Sequence, residues 1–297
     1  MIHPLPHQHR SDVPPHHVVC RTDCSAHHHR SPEQQLDLFS DSGVRLDQPL
    51  SRRTAPAPAG AGMDDAALIA AIPESTFDDS SALVAEAGRR HLAAAVPALT
   101  ALCRRFAGFG IERAVPEQAA ALEALAMIDG RDAAHAVAQM IERAVVVGPT
   151  LKAAVSVAAR LHATLSVEVL RSLLRHPEPR IRADACRCAR PVPELIALMI
   201  ELLDDLDRAV ATSAACALGQ MGRTEARAML KRLLRDEPCE QAIEALSSIA
   251  DEECMILLGR IARSTPDLAD ATLDALENID HPRAGAIAVA IRHMRRS

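Results

Sequence analysis

The chain repeats itself, and that periodicity limits its fold more than any other feature. Ala214, Ala217, Leu218 and Met221 recur 28 residues on as Ala242, Ala245, Leu246 and Ile249. The last three return after a further 30 residues as Ala275, Leu276 and Ile279. LLRD at Leu233–Asp236 answers LLRH at Leu173–His176, a separation of two 30-residue periods. A unit of that length holds one supersecondary element, too small to bury its own apolar face, so it must stack on copies of itself.

Each unit shows the same plan. Small residues at i, i+3 and i+4 mark a first helix whose neighbour can approach closely. A short break follows, such as Gly219–Gly222 or Asp129–Gly130, and then a second helix with a Leu/Ile stripe. Pro116, Pro149, Pro177, Pro179, Pro238, Pro266 and Pro282 mark helix starts or turns between units. Read this way, residues 80–108, 116–146, 149–176, 178–205, 207–236, 237–264 and 266–294 form about seven helix pairs, the first and last acting as caps. The predicted fold is all-α: a right-handed α-solenoid behind a disordered N-terminal arm.

Composition agrees. Apolar residues make up 48% of the chain, yet it has no Trp, no Tyr and four Phe, so its interior must be aliphatic. That suits closely packed helices and excludes an all-β core, which relies on aromatic and β-branched residues. Nucleic-acid binding is disfavoured by a net charge of −6, and base stacking on Trp or Tyr is impossible. No apolar run approaches the roughly 18 residues of a membrane span. Met1–Arg30 is polar, without the apolar stretch of a signal peptide, so a cytoplasmic location and reduced thiols are expected.

Composition shifts near residue 63. Residues 1–63 contain eight of the 14 His, balance six Arg against six acids, and show no apolar periodicity. They form one predicted unit, a His/Pro-rich arm ending in a Pro/Ala/Gly linker at Gln48–Gly62; residues 64–297 form the other, with 27 basic and 33 acidic residues.

The pattern ALGQMG at Ala217–Gly222, followed by AxxxLxxLL at Ala226–Leu234, resembles HEAT and HEAT-like (phycobilin-lyase-type) repeats. The resemblance spans about 80–297 and is strongest over 178–280. It implies a scaffold or adaptor more often than an enzyme.

Within the arm, Gln35-Leu36-Asp37-Leu38-Phe39 looks like the pentapeptide by which bacterial polymerases, repair factors and replication regulators dock on the sliding clamp, the beta subunit of DNA polymerase III. All five positions match the QL(S/D)LF pattern. The resemblance implies that Leu38 and Phe39 enter an apolar pocket and that the Gln35 amide bonds at its edge. Leu36 would take a shallower hollow, and Asp37 would face polar surface. A buried Leu–Phe pair offers about 3–5 kcal/mol before ordering costs, which suits a micromolar contact. Phe39 is the only aromatic residue before Phe77. The competing reading has Leu36, Leu38 and Phe39 pin the arm to the solenoid.

Other constellations are weaker. Cys20, Cys24 and His27–His29, with His16 and His17, contain tetrahedral ligand types but lack a second well-spaced pair, so no metal and no cofactor are expected. Cys186 and Cys188 lie two apart on one helix and point to different sides; Cys216 stands at an Ala-like repeat position. His135, His162, His176 and His281 have no catalytic companions at useful spacing. Arg171, Arg175, Lys231, Arg232, Arg235, Arg260 and Arg263 recur on second helices, as do Arg292, Arg295 and Arg296. They could follow a phosphate backbone, although cations also gather at helix C-termini, and Glu201, Asp204 and Asp205 interrupt the stripe.

These features predict a non-enzymatic adaptor that docks on the sliding clamp and presents its solenoid to a second, unidentified protein; DNA contact is possible but not favoured, and a membrane is not expected. The alternatives are a generic scaffold without clamp contact, or a repair enzyme similar to the HEAT-like alkylpurine DNA glycosylases. The latter grip a lesion between aromatic residues beside a catalytic Asp. Phycobilin lyases of similar repeats rank last, as nothing in the sequence supplies a pigment-binding context.

Overall fold

The computed structural model describes Gly60 and residues 62–296. The chain divides between Pro56 and Ala57 into two units, and the described residues belong to the second. Among them there is no strand. Residues 1–59 of the arm, with its pentapeptide and its Cys/His cluster, lie outside the described residues.

Fifteen α-helices are described. They are α1 (Asp65–Glu74), α2 (Phe77–Arg89), α3 (Val96–Arg105), α4 (Pro116–Ile128), α5 (Gly130–Glu142), α6 (Gly148–Arg160), α7 (Val167–Leu174) and α8 (Pro179–Cys188). The array continues with α9 (Pro193–Glu201), α10 (Arg208–Gln220), α11 (Arg227–Asp236), α12 (Glu240–Ser247), α13 (Glu252–Ser264), α14 (Ala269–Glu277) and α15 (Pro282–Arg296). From α2 onward they form seven hairpins, close to the ranges expected from the repeats. The even-numbered first helices pack on one another in succession, and each second helix up to α13 packs on the first helix of the next hairpin. This is an α-solenoid.

The repeats did not reveal α1. It packs on α2 and α3, and Leu68 and Ile72 bury completely there. Its own sequence explains it: the Asp64 carboxylate caps the helix by accepting from the Ala67 amide at 2.7 Å, and an Ala/Leu/Ile run follows. An ionic knot secures this entry. Glu86 accepts from Arg89 and Arg90, and Arg90 reaches Asp65 at 2.8 Å and the carbonyls of Met63 and Gly60. Hydrogen bonds first from Arg89 and then from Arg90 hold the Glu86 carboxyl down at about 2.

Gly219 differs from its expected place. It lies inside α10 rather than in the break, because a Cβ there would come within 2.7 Å of the Ala245 carbonyl oxygen and 2.9 Å of the Ala245 Cβ. The glycine lets α10 and α12 touch backbone to backbone. The break comes at Gly222 (φ +74), where the Gly222 amide bonds the Gly219 carbonyl and the Arg223 amide bonds the Leu218 carbonyl. This paired cap ends a helix through a left-handed residue. His91 and His162 fill the same left-handed place after α2 and α6, with φ of 52° and 49°. Of the isolated histidines, His162 is therefore a helix terminator, as is His91.

Candidate interaction surfaces

The second helices bury Leu rows, including Leu170, Leu173 and Leu174 on α7 and Leu230, Leu233 and Leu234 on α11. Their remaining faces carry the basic residues anticipated from the sequence. Arg171 lies on α7 with Arg175 just after it; Lys231, Arg232 and Arg235 lie on α11; Arg260 and Arg263 lie on α13. Several are already engaged. Arg171 pairs with Glu194 of the next hairpin at 2.6 Å, and Lys231 with Glu253 of the next at 2.6 Å. Arg232 donates to the Met229 sulfur, and the Arg263 Nε to the Gly259 carbonyl. Arg292 pairs with Glu277, and Arg295 with Asp270. The stripe is thus partly a set of ion pairs, two of them between neighbouring hairpins and two within the last.

The best-buried rung ties the two ends of the α8–α9 hairpin together and to the turn before it. Arg182 on α8 makes two hydrogen bonds of 2.9 Å to the Asp205 carboxylate, and its third nitrogen donates to the carbonyls of His176 and Pro177. Their side chains are 16% and 8% exposed. Burial pushes the Asp205 carboxyl up, but the Arg182 bonds and the Asp207 amide outweigh it and hold it below its ordinary value.

On the first-helix side, a cleft of about 250 Å³ is lined by His162, Arg187, Thr212, Ser213, Gln220, Gln241 and Glu244. A second, of about 670 Å³, shares His162 and adds Asp129, Asp132, His135 and Thr164. Together they form a polar surface rich in hydrogen-bonding groups of mixed charge. Beneath it Asp184, nearly buried, pairs with Arg180 and Arg187, each at 3.2 Å. Among the described residues no three His, Cys, Asp or Glu side chains group as metal ligands. Burial pushes the thiols of Cys103, Cys186, Cys188 and Cys216 up to about 12, so they remain protonated at neutral pH. No described helix is long and apolar enough to cross a membrane.

Two apolar features escaped the repeat-based reading. The segment between α3 and α4 exposes Phe109 and Ile111, and a groove between α9 and α11 is lined by Ile200, Leu203, Ala228 and Met229. The first had a visible signal: FAGFG, with two of the four Phe and two glycines in five residues.

The comparisons with known proteins fit this architecture. A family profile described as HEAT repeats matches residues 167–247. The chain is similar to a chain in the structure of the complex of CpcE and CpcF of phycocyanin lyase from Nostoc sp. PCC7120. That likeness has 17% identity and a TM-score of 0.54, covering 81% of this chain and 98% of that one. The comparison with curated proteins gives no match. The fold is therefore a HEAT-like helical-repeat solenoid. The expectation that the chain is not an enzyme is corrected here: the similar solved structure is a phycocyanin lyase, so this architecture does not set the chain apart from enzymes.

Proposed function

We propose that the chain is an interaction adaptor that docks on a bacterial DNA sliding clamp through Gln35–Phe39 and presents its solenoid to a second protein during replication or repair. The observation that carries the reading is the full five-position match of that pentapeptide, placed before the helical array in a segment without repeat pattern. The solenoid supports it by supplying a broad surface, with the first-helix clefts offering hydrogen bonds to a partner.

The test is a titration of a labelled peptide covering residues 31–40 against a bacterial clamp. The wild-type peptide binds with a Kd on the order of micromolar, and Leu38→Ala/Phe39→Ala weakens it by about tenfold or more. Equal binding of both peptides refutes the docking role.

The likeness to the phycocyanin lyase structure favours a second reading, in which the solenoid acts on phycocyanin. Co-sedimentation of the full chain with phycocyanin tests it, and complete separation of the two removes it.

A further inference from the structure

The segment from Phe106 to Val115 is held from several sides, yet it turns its largest apolar side chains outward. The Gln118 amide donates to the carbonyls of Cys103, Phe106 and Val145 at 3.0–3.2 Å. The Val115 amide donates to the buried Thr150 hydroxyl at 3.1 Å, and Arg105 donates to the carbonyls of Pro73 and Ser75. Gly108 and Gly110 hold φ of +82° and +85°, and a Cβ on Gly110 would meet the Val115 side chain at 2.7 Å. The backbone of Gly110 and Ile111 lies directly on Gly148. Despite this anchoring, Phe109 is 64% and Ile111 75% exposed. The anchored segment thus holds two large apolar side chains outward, two residues apart, as a small exposed apolar tip.

Charge narrows the choice of partner. Residues 64–130 are acidic, with five Arg against ten acids, but three of those five Arg (Arg104, Arg105 and Arg113) flank the tip, with Glu112 the one acid among them. The groove between α9 and α11 has the opposite character. It is a concave slot of about 340 Å³ of mixed lining, with Ile200, Leu203, Ala228 and Met229 in it and Asp204, Arg232 and the Arg223-paired Glu225 at its rim. Alongside it, Glu201 and Asp204 are exposed carboxylates, whereas Asp205 is taken up by Arg182 and Asp207 by the amides that open α10. The tip is convex, apolar and basic-flanked; the slot is concave and partly apolar, with the exposed carboxylates of Glu201 and Asp204 beside it.

We propose that this protein self-associates by inserting the Phe109/Ile111 tip of one copy into the α9–α11 groove of a second copy. The contact joins two different surfaces, so each copy carries one donor tip and one acceptor groove. It stands independently of clamp docking.

The test is sedimentation equilibrium on the full chain from about 1 to about 200 µM. The wild type's average mass rises above 31.8 kDa with concentration. Phe109→Ser/Ile111→Ser and Ala228→Arg each abolish the rise; all three positions are exposed, and an unchanged Tm shows that the fold is kept. An equimolar mixture of the two variants restores a 1:1 dimer, because each supplies the half that the other lacks. A wild type that stays at 31.8 kDa throughout overturns the proposal, as do variants that associate like the wild type or a mixture that remains monomeric.

Discussion

Replacing Arg182 with Ala would strip the Asp205 carboxylate of its two 2.9 Å charge-assisted bonds and leave it only the Asp207 amide, also at 2.9 Å. The carbonyls of His176 and Pro177 would lose their donor in the same step. Removing one member of a well-buried pair costs about 3–5 kcal/mol, because the remaining charge is left without compensation. The residual exposure of both side chains puts the expected loss near the lower end, about 3 kcal/mol. Arg182→Lys keeps a charge but not the fork and should cost about half as much. Urea unfolding of Arg182→Ala, Asp205→Asn and the double variant measures the coupling, expected at about 2 kcal/mol. The pair also sets an acid dependence. Since the folded Asp205 carboxyl titrates below its ordinary value of 3.8, its contribution is complete above that value and disappears as pH falls through the lower, folded one. Asp205→Asn should flatten that part of the acid limb. A cost below about 1 kcal/mol for Arg182→Ala, with additive singles, would refute the view that this rung holds the two ends of the α8–α9 hairpin together.

Gly219→Ala, which places a methyl 2.7 Å from the Ala245 carbonyl oxygen, should lower stability by about 1–3 kcal/mol in urea titrations. Gly222→Ala meets open space but keeps a φ of +74°, so the same assay should show only about 1 kcal/mol. His162→Gly removes a left-handed non-glycine residue from a helix end and should raise stability by about 0.5–1 kcal/mol, read as an increase in Tm. Leu206→Pro should stabilise by about 0.4–1 kcal/mol, because fully exposed Leu206 stands where Pro177 stands one hairpin earlier and Asp205 before it is already extended.

The repeat period carried most of the fold. Recurrent Ala/Leu spacing placed seven hairpins, and Pro116, Pro179 and Pro282 each open a helix as expected. Where the reading failed, a local signal competed with a tertiary one. Gly219 resembles a helix breaker in sequence, but the approach of α12, invisible in one dimension, is what requires it. α1 was missed because it belongs to no repeat, although its Asp64 cap was readable. His91 and His162 offered no sign of their left-handed backbone, since glycine is the usual residue there.

Surfaces were less legible than the core. The basic residues were placed correctly on second helices, but their partners were not visible: Glu194 and Glu253 belong to the following hairpin, and only stacking brings them to Arg171 and Lys231. The exposed tip and the α9–α11 groove likewise follow from the way loops settle on neighbouring hairpins, which periodicity does not encode.

Capture of a purified bacterial clamp by the immobilised full chain, with and without residues 31–40, probes the adaptor reading at its root. Retention by the complete chain and near-total loss after the deletion is the result it requires. Clamp retained equally by both, or by neither, would leave a HEAT-like solenoid with no tie to replication.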